Sequence, residues 1–250
     1  MSDRVQSVDR VFSLLECLAD GGGSLTLSEL AARSGLPMPT IHRLIRSLVG
    51  QGYVRQEASK RYAIGPRMIR LGESATRMLG SWAKPFLTRL VSAYGETSNL
   101  AMMEGDAAVY VSQVPSPQAM RMFNEIGQFV ALHSTGVGKA MLSTMPDADV
   151  VALLTRTGMP ARTEHTLTTP AAMLERLTVV RAAGYAIDEQ EQELGVRCVA
   201  VPVTGLPFRA AVSVSGPSGR VTLEKVDVIA PDVKQIAAEL ARAFHARDRA

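Results

Sequence analysis

The chain has 250 residues, 46% of them apolar and 20% charged, which excludes a disordered protein and fits one large or two ordinary globular domains. We find no apolar run of membrane-spanning length, no targeting segment at the start and no zinc or disulfide spacing between Cys17 and Cys198, so we expect a cytoplasmic protein. The net charge of +3 is unevenly divided: residues 1–70 hold ten Lys and Arg against six Asp and Glu (+4), and residues 71–250 hold seventeen against eighteen (−1), which is typical of a nucleic-acid-binding module in the first segment.

Three helices are predicted within the first fifty residues. The first begins at Ser7, ends at the glycines of positions 21–23 and has apolar residues at Val11, Leu14, Leu15 and Leu18. The second begins with a capping box, in which Thr26 and Glu29 each bond the other's backbone amide, and ends at Gly35. The third helix follows Pro37 and has an apolar stripe that consists of Ile41, Leu44, Ile45, Leu48 and Val49.

The opposite face of the third helix is rich in hydrogen-bond donors, because His42, Arg43 and Arg46 point together on a helical wheel. A helix with a buried back and such a front fits a DNA major groove, and the alternative is a solvated face on an ordinary helical hairpin. Residues 53–55 and 60–64 then predict a β-hairpin with positive charges near its tip, suited to phosphates or the minor groove. This order predicts a winged helix-turn-helix; winged-helix modules that bind proteins remain the alternative.

The remaining elements predict an α/β sensor domain with an antiparallel or mixed sheet. A linking helix has the apolar stripe Met68, Leu71, Ala75, Met78 and Leu79, and it must be held by tertiary or dimer packing because Gly72 lies within it. Another helix spans residues 82–94. We then predict strands at 99–104, 107–113, 120–123, 185–188, 197–203 and 210–215, and helices at 138–143, 147–154, 170–183 and 226–246.

One stretch of the second half can bind an anion. Residues 133–139, His-Ser-Thr-Gly-Val-Gly-Lys, lead into a helix whose small first residues expose backbone amides. The stretch is not a phosphate-binding P-loop, because the first glycine is absent and Ala140 stands where a hydroxyl would hold magnesium. A simple tight turn into a helix is the alternative.

A second group of residues can line a pocket with the amides near Gly136. Strand alternation puts Cys198 on the face opposite Arg197, and Ser213 and Ser215 on one face with valines behind them. These three side chains and Asp188 would meet beside the amides. The alternative is that small Cys and Ser residues merely pack in a crowded sheet.

The chain resembles the IclR family of bacterial transcription regulators over essentially its whole length. In the first half the matching segments are SVDRVFSLL at 7–15, LSELAARSGLP at 27–37 and TIHRLI at 40–45. In the second half they are LHSTGVGKA at 132–140, GYAIDEQE at 184–191, GVRCVAVPV at 195–203 and AVSVSGP at 211–217. The resemblance implies an α+β protein with a winged helix-turn-helix (5–66), a linker helix (67–80) and a GAF-like α/β effector-binding domain (81–250), working as a homodimer or homotetramer.

The resemblance and the residue patterns together give two sets of site residues. We expect double-stranded operator DNA to be bound by Ser28, Pro39, Thr40, His42, Arg43, Arg46, Arg55, Lys60 and Arg61. We expect a small organic acid, the effector, to be bound by Thr135, Gly136, Val137, Asp188, Cys198, Ser213 and Ser215. Met120-Arg121-Met122 resembles the branch of the family that senses small oxo-acids, although aromatic acids and other carboxylates are equally common effectors. The resemblance implies a transcriptional regulator of a catabolic operon, and we expect it to act as a repressor.

A hydrolase is the alternative function. His133, Asp188 and Ser213 or Cys198 are the residue types of a base, an orienting group and a nucleophile. Neither serine lies in a nucleophile elbow, and a zinc site of His133, Cys198 and a carboxylate would lack a close-spaced ligand pair. We therefore expect no catalytic residues, no metal and no other cofactor.

Overall fold

The computed structural model describes residues 5–121 and 126–247, with only the backbone of Leu79 and Arg247. The chain divides into two compact units, Met1–Ala75 and Thr76–Ala250. The division falls inside the helix that the sequence predicts as a linker. No helix in the described part of the chain is both long enough and apolar enough to cross a membrane.

Three helices and a β-hairpin form the first unit. They are α1 (Gln6–Asp20), α2 (Leu27–Ser34), α3 (Met38–Gly50), β1 (Val54–Gln56) and β2 (Tyr62–Ile64), followed by α4 (Arg67–Leu79), which runs past the unit's end. The strands are antiparallel, and Leu25 adds one bridge to Tyr62. Leucine and isoleucine side chains of the three helices form the core, which includes Leu14, Leu18, Leu30, Ile41 and Ile45.

The predicted start and end of α2 are confirmed in detail. The Thr26 amide donates to the Glu29 carboxylate at 2.7 Å, and the Glu29 amide donates to the Thr26 hydroxyl at 3.2 Å. Gly35 has a φ of 66°, the left-handed conformation that lets the helix end there. Local capping chemistry therefore fixes where α2 begins and ends.

Three details of the first unit differ from the sequence prediction. Val49 is 36% exposed and does not belong to the buried stripe of α3. Lys60 and Arg61 lie in the turn before β2, because Lys60 takes a left-handed φ of 60° that a strand cannot accommodate. Met68, the first residue of the apolar stripe predicted for α4, packs against the core of the first unit and does not share the exposure of Leu71 and Met78.

A six-stranded antiparallel sheet forms the second unit. After a 3-10 turn at Ser81–Ala83, the elements are α5 (Lys84–Tyr94), β3 (Thr97–Glu104), β4 (Ala107–Val114), β5 (Phe129–Val130), α6 (Gly136–Leu142), α7 (Asp147–Thr157), α8 (Pro170–Ala183), β6 (Ala186–Glu189), β7 (Val196–Val203), β8 (Ala210–Pro217) and α9 (Leu223–Arg247). The strand order is β5-β4-β3-β8-β7-β6, and every pairing is antiparallel. The predicted antiparallel form is confirmed.

Each face of the sheet has its own core. Valines of β7 and β8 pack with α5 and α9 on one face. Small side chains of the same strands, among them Cys198, Ala200 and Ala211, pack with α6, α7 and α8 on the other. These small residues let α6 approach β7 and β8 closely, and the predicted site residues Cys198, Ser213 and Ser215 lie on those two strands.

The region after β4 departs from the prediction. Met120 and Arg121 are not in a strand, and Met122 and Phe123 lie outside the described residues. On the side of β4 away from β3, the pairing strand is β5, whose two residues have no alternation pattern from which it could be predicted.

Candidate functional site

The donor-rich face of α3 is solvent-exposed. His42, Arg43 and Arg46 are all exposed, as are Ser28 and Pro39, and Thr40 is half-buried. A cavity of about 300 Å³ separates this face from the hairpin and is lined by His42, Arg46, Val49, Gln56 and Tyr62. The sequence pattern did not predict this cavity or the part that Val49 and Gln56 have in its lining.

The three positive residues of the hairpin have different environments. Arg61 donates to the Ser24 backbone carbonyl at 2.6 Å and to the Ser24 hydroxyl at 3.1 Å, and it pairs with Glu29 at 3.0 Å. Arg55 forms an exposed ion pair with Glu57 at 3.3 Å. Lys60 is exposed at the tip and has no side-chain partner among the described residues. Arg61 thus holds the hairpin to α2, whereas Lys60 leaves its charge exposed to solvent.

In the second unit the sheet register brings the four predicted side chains together. Asp188 pairs with Cys198, Cys198 pairs with Ser215, and Ala200 pairs with Ser213. All four predicted side chains are at least nine-tenths buried. They lie on the α6 side of the sheet, as the alternation of β7 and β8 predicts.

The start of α6 packs tightly against these residues. Thr135 caps the helix, since its hydroxyl accepts from the Gly138 amide at 3.2 Å. A side chain at Gly136 would come within 3.0 Å of Cys198 Sγ, and one at Gly138 would collide with the Leu132 backbone. Both glycines are therefore explained by close helix–sheet packing. The amides of Thr135, Gly136 and Val137 were predicted to bind an anion at the start of this helix. Because α6 has only seven residues, its dipole gives little support to that prediction.

Burial changes the acidity of the side chains on this face. It raises the pKa of Asp188 to about 6, against the opposing effects of Lys139 and of the amide of Glu191, which donates to Oδ1 at 2.8 Å. It also raises the pKa of Cys198 to about 12, and nearby Asp188 adds to the rise. The nearby Ser213 hydroxyl acts in the opposite direction and lowers the pKa of Cys198, although its geometry does not meet that of a hydrogen bond to the sulfur. Cys198 is therefore a neutral thiol and a poor nucleophile.

A buried ion pair lies beside these residues. Lys139 of α6 is fully buried and bonds to Glu191, which follows β6 and is itself 2% exposed. Glu191 Oε2 has no hydrogen-bond partner in the described structure. From the sequence, Lys139 was noted only as the last residue of the stretch 133–139; the acidic residues after Asp188 were the available indication of its partner.

Two amide side chains on the same face were also missed. Asn99 is fully buried and donates to the Ser215 hydroxyl at 3.2 Å, and Gln113 donates to Asn99 at 2.9 Å. The Ser213 hydroxyl has no hydrogen-bond partner among the described residues. Asn99 and Gln113 fall at the inward positions of two predicted strands, where a buried amide calls for a polar partner.

The hydrolase arrangement is not assembled in this structure. The His133 ring bonds the Pro160 carbonyl at 3.0 Å, and the two bonds to Asp188 come from the amides of Glu191 and Gln192. Among the described residues, His133 has no hydrogen bond to Asp188, Ser213 or Cys198. The same residues include no group of three or more His, Cys, Asp or Glu side chains arranged to hold a metal ion.

Comparison with known proteins covers both units. Residues 7–58 match the model of the IclR helix-turn-helix domain, and residues 76–242 match that of the bacterial transcriptional regulator IclR C-terminal domain.

Relatives of known function match over nearly the full length. The chain is 37% identical to the acetate operon repressor of Salmonella typhimurium, covering 98% of this chain and 92% of the relative. It is also 37% identical to the transcriptional repressor IclR of Escherichia coli, covering 96% and 90%. The crystal structure of an IclR transcriptional regulator from Alicyclobacillus acidocaldarius superimposes with a TM-score of 0.85 at 25% identity, covering 96% of this chain and 99% of the other.

Proposed function

The chain belongs to the IclR family of bacterial transcriptional regulators, and we propose that it is a repressor of a catabolic operon that is controlled by a small oxo- or hydroxycarboxylic acid. The relatives named above are repressors, one of them of an acetate operon. The proposal places the protein in the cytoplasm, where operator DNA and metabolites meet, and assigns it no catalytic activity.

The DNA side of the proposal rests on the exposed face of α3. His42, Arg43 and Arg46 project from a helix whose opposite face is locked into the core through Ile41 and Ile45. Such a helix can enter the major groove with its side chains at base edges. Lys60 at the hairpin tip would contact a phosphate and add affinity without sequence preference.

One observation supports the effector side above all: the fully buried Ser213 hydroxyl has no hydrogen-bond partner in the part of the chain that the structure describes. An unpaired buried hydroxyl costs about 1–3 kcal/mol, which a ligand oxygen that accepts its hydrogen would recover. Ser215 lies two residues along the same strand face, and Asp188 and Cys198 follow across the sheet. A small carboxylate would accept from the two serines, while Asp188 would accept from a hydroxyl or hydrated carbonyl of the acid.

Ligand entry must involve a change of conformation. The predicted pocket residues are at least nine-tenths buried, and α6 packs so closely on the sheet that a side chain added at Gly136 would come within 3.0 Å of Cys198 Sγ. A ligand that enters by moving α6 away from the sheet favours one conformation over another. It can then alter DNA affinity by its differential affinity for the two, typically about 1–3 kcal/mol.

Calorimetry paired with gel-shift titration tests the proposal. Ser213→Ala/Ser215→Ala should abolish binding of the acid and its effect on the operator complex, while ligand-free operator affinity stays near wild type. Arg43→Ala and Arg46→Ala should each weaken operator binding by about 1–3 kcal/mol and leave acid binding intact. A wild-type response to the acid in the double serine variant would place the effector site elsewhere.

A further inference from the structure

A row of hydrogen-bonded side chains crosses the sheet from β4 to β8 beside the proposed effector site. Gln113 donates through Nε2 to the Asn99 oxygen at 2.9 Å, and Asn99 donates through Nδ2 to the Ser215 hydroxyl at 3.2 Å. Asn99 pairs in register with both Gln113 and Ser213. The row therefore lies on the same face of the sheet as the two serines.

The direction of these bonds determines what Ser215 can do. Because Gln113 uses the Asn99 oxygen as its acceptor, Asn99 turns its amino group toward Ser215. A hydroxyl that accepts a bond from one side keeps its own hydrogen for another acceptor. The described residues show no acceptor for that hydrogen, and the hydrogen of Ser213 next to it is also unused.

We propose that Gln113 and Asn99 are positioning residues that hold the Ser215 hydroxyl as a donor toward the effector and so select a carboxylate over the corresponding carboxamide. The inference rests on the proposed function, since it concerns the same site. Two hydroxyl hydrogens match a carboxylate, which only accepts. A carboxamide would direct its own hydrogens at one of them, and selectivity arises from that mismatch.

The test begins with four probes: acetate, glyoxylate, pyruvate and 4-hydroxybenzoate. Calorimetry on the full-length protein identifies the acid that binds, and loss of binding in Ser213→Ala/Ser215→Ala establishes the site. The amide of the same acid is then titrated into each variant. The measured quantity is the ratio of the two affinities, which a merely structural role of Asn99 or Gln113 would leave unchanged.

Gln113→Glu reverses the row. A carboxylate at this position can only accept, so Asn99 must rotate its amino group toward residue 113 and present its oxygen to Ser215. Ser215 then donates its hydrogen to Asn99 and can no longer donate it to the ligand. We expect the acid to bind about 10- to 100-fold more weakly, and the preference for acid over amide to shrink by a similar factor.

Repeating Gln113→Glu in the Asn99→Leu variant distinguishes reversal of the hydrogen-bonded row from simple charge repulsion of the ligand. Asn99→Leu fills a similar volume but cannot transmit the rotation, so Gln113→Glu should have little further effect on acid binding in that background. A repulsive charge at residue 113 would act equally in both backgrounds. Ser98→Ala is the matched control, because Ser98 bonds the Ser213 carbonyl from the neighbouring position of the same strand and its loss should leave the acid-to-amide ratio unchanged.

The outcomes are separable. Equal effects of Gln113→Glu in both backgrounds would overturn this inference alone, because charge repulsion would then account for the loss of binding. Tighter acid binding in Asn99→Leu would also overturn it, because Ser215 would then be donating to Asn99 in the native protein. Unchanged binding in the double serine variant would overturn the proposed site and the inference with it. Failure of all four acids to bind the wild-type protein would overturn the carboxylate class on which both rest.

Discussion

Asp188 links the proposed effector site to pH. Burial raises the pKa of Asp188 from 3.8 to about 6. The negative charge of a carboxylate bound beside it would raise this pKa further, so Asp188 would take up a proton when the acid binds and would accept from the acid's hydroxyl through its unprotonated oxygen. The affinity for the acid should increase as pH falls from about 8 toward 6 and then level off, because Asp188 of the free protein is protonated below its pKa. Calorimetry at pH 7 in two buffers of different ionisation enthalpy measures the proton uptake.

Asp188→Asn provides the control for this prediction. The asparagine keeps a carbonyl oxygen for the Glu191 amide but does not titrate. Its affinity for the acid should not vary over the same pH range. Between pH 4 and 6 Asp188 binds more protons in the folded state than in the unfolded state, so the stability of the wild type relative to that of the variant should fall as pH rises through that window. Matching pH profiles for the two proteins would contradict the assignment.

Lys60 and Arg61, adjacent in sequence, should behave differently in DNA binding. Lys60 is exposed at the hairpin tip, whereas Arg61 bonds Ser24 and Glu29. Lys60→Ala should weaken binding to all DNA sequences alike and reduce the salt slope by about one, because one phosphate contact is lost. The measurement is operator affinity against salt concentration. Arg61→Ala should keep the salt slope and lower the melting temperature; the reverse pattern would show that Arg61 leaves the fold to meet DNA.

At the level of elements, the Lys139–Glu191 ion pair ties α6 to the loop after β6. Both side chains are buried, so removing one charge leaves the other without a partner. Lys139→Met should therefore destabilise the second unit by about 3–5 kcal/mol, and Lys139→Met/Glu191→Leu should recover most of the loss. Trp82, the single tryptophan, reports the unfolding of this unit in guanidinium.

The exposed pair between Arg156 and Asp106 is the matched control for that measurement. Its partners are 60% and 44% exposed, so water screens the interaction, and Arg156→Ala should leave the stability of the second unit close to that of the wild type. A similar small loss in Lys139→Met would mean that the buried pair contributes nothing to holding α6 in place.

Helix bounds were predictable where local chemistry sets them, and long-range contacts were not. The capping box of Thr26 and Glu29 and the glycine after α2 act within a few residues, so the sequence pattern alone locates that helix. The pairing of β3 with β8 joins Asn99 to Ser213 across more than a hundred residues, and no local pattern encodes it. The predicted serines and Asp188 do meet, but their partners Asn99 and Gln113 depend on that pairing and were missed.

For the whole molecule, we predict a homodimer, or a homotetramer built from dimers, because one unit of this size contacts too few base pairs for a specific operator. Two such units on a palindromic site must be joined by a protein interface. The helix α4 offers one: Leu71, Ala75 and Met78 lie along one stripe, and Leu71 and Met78 are 46% and 71% exposed. Met68 is excluded from this seam, because it packs into its own unit.

The variant Leu71→Asp/Met78→Asp tests the seam by placing two charges on the stripe. It should be monomeric by light scattering at micromolar concentration, and its operator affinity should fall about 10²- to 10⁴-fold, because the two half-sites are no longer bound by a linked pair. Ile69→Asp is the matched control: Ile69 is 63% exposed on a different face of the same helix, so the same change of chemistry there should leave the dimer intact. A wild-type protein that stays monomeric with and without operator DNA would refute the assembly itself. Dissociation by Ile69→Asp but not by the double variant would move the seam to the other face of α4.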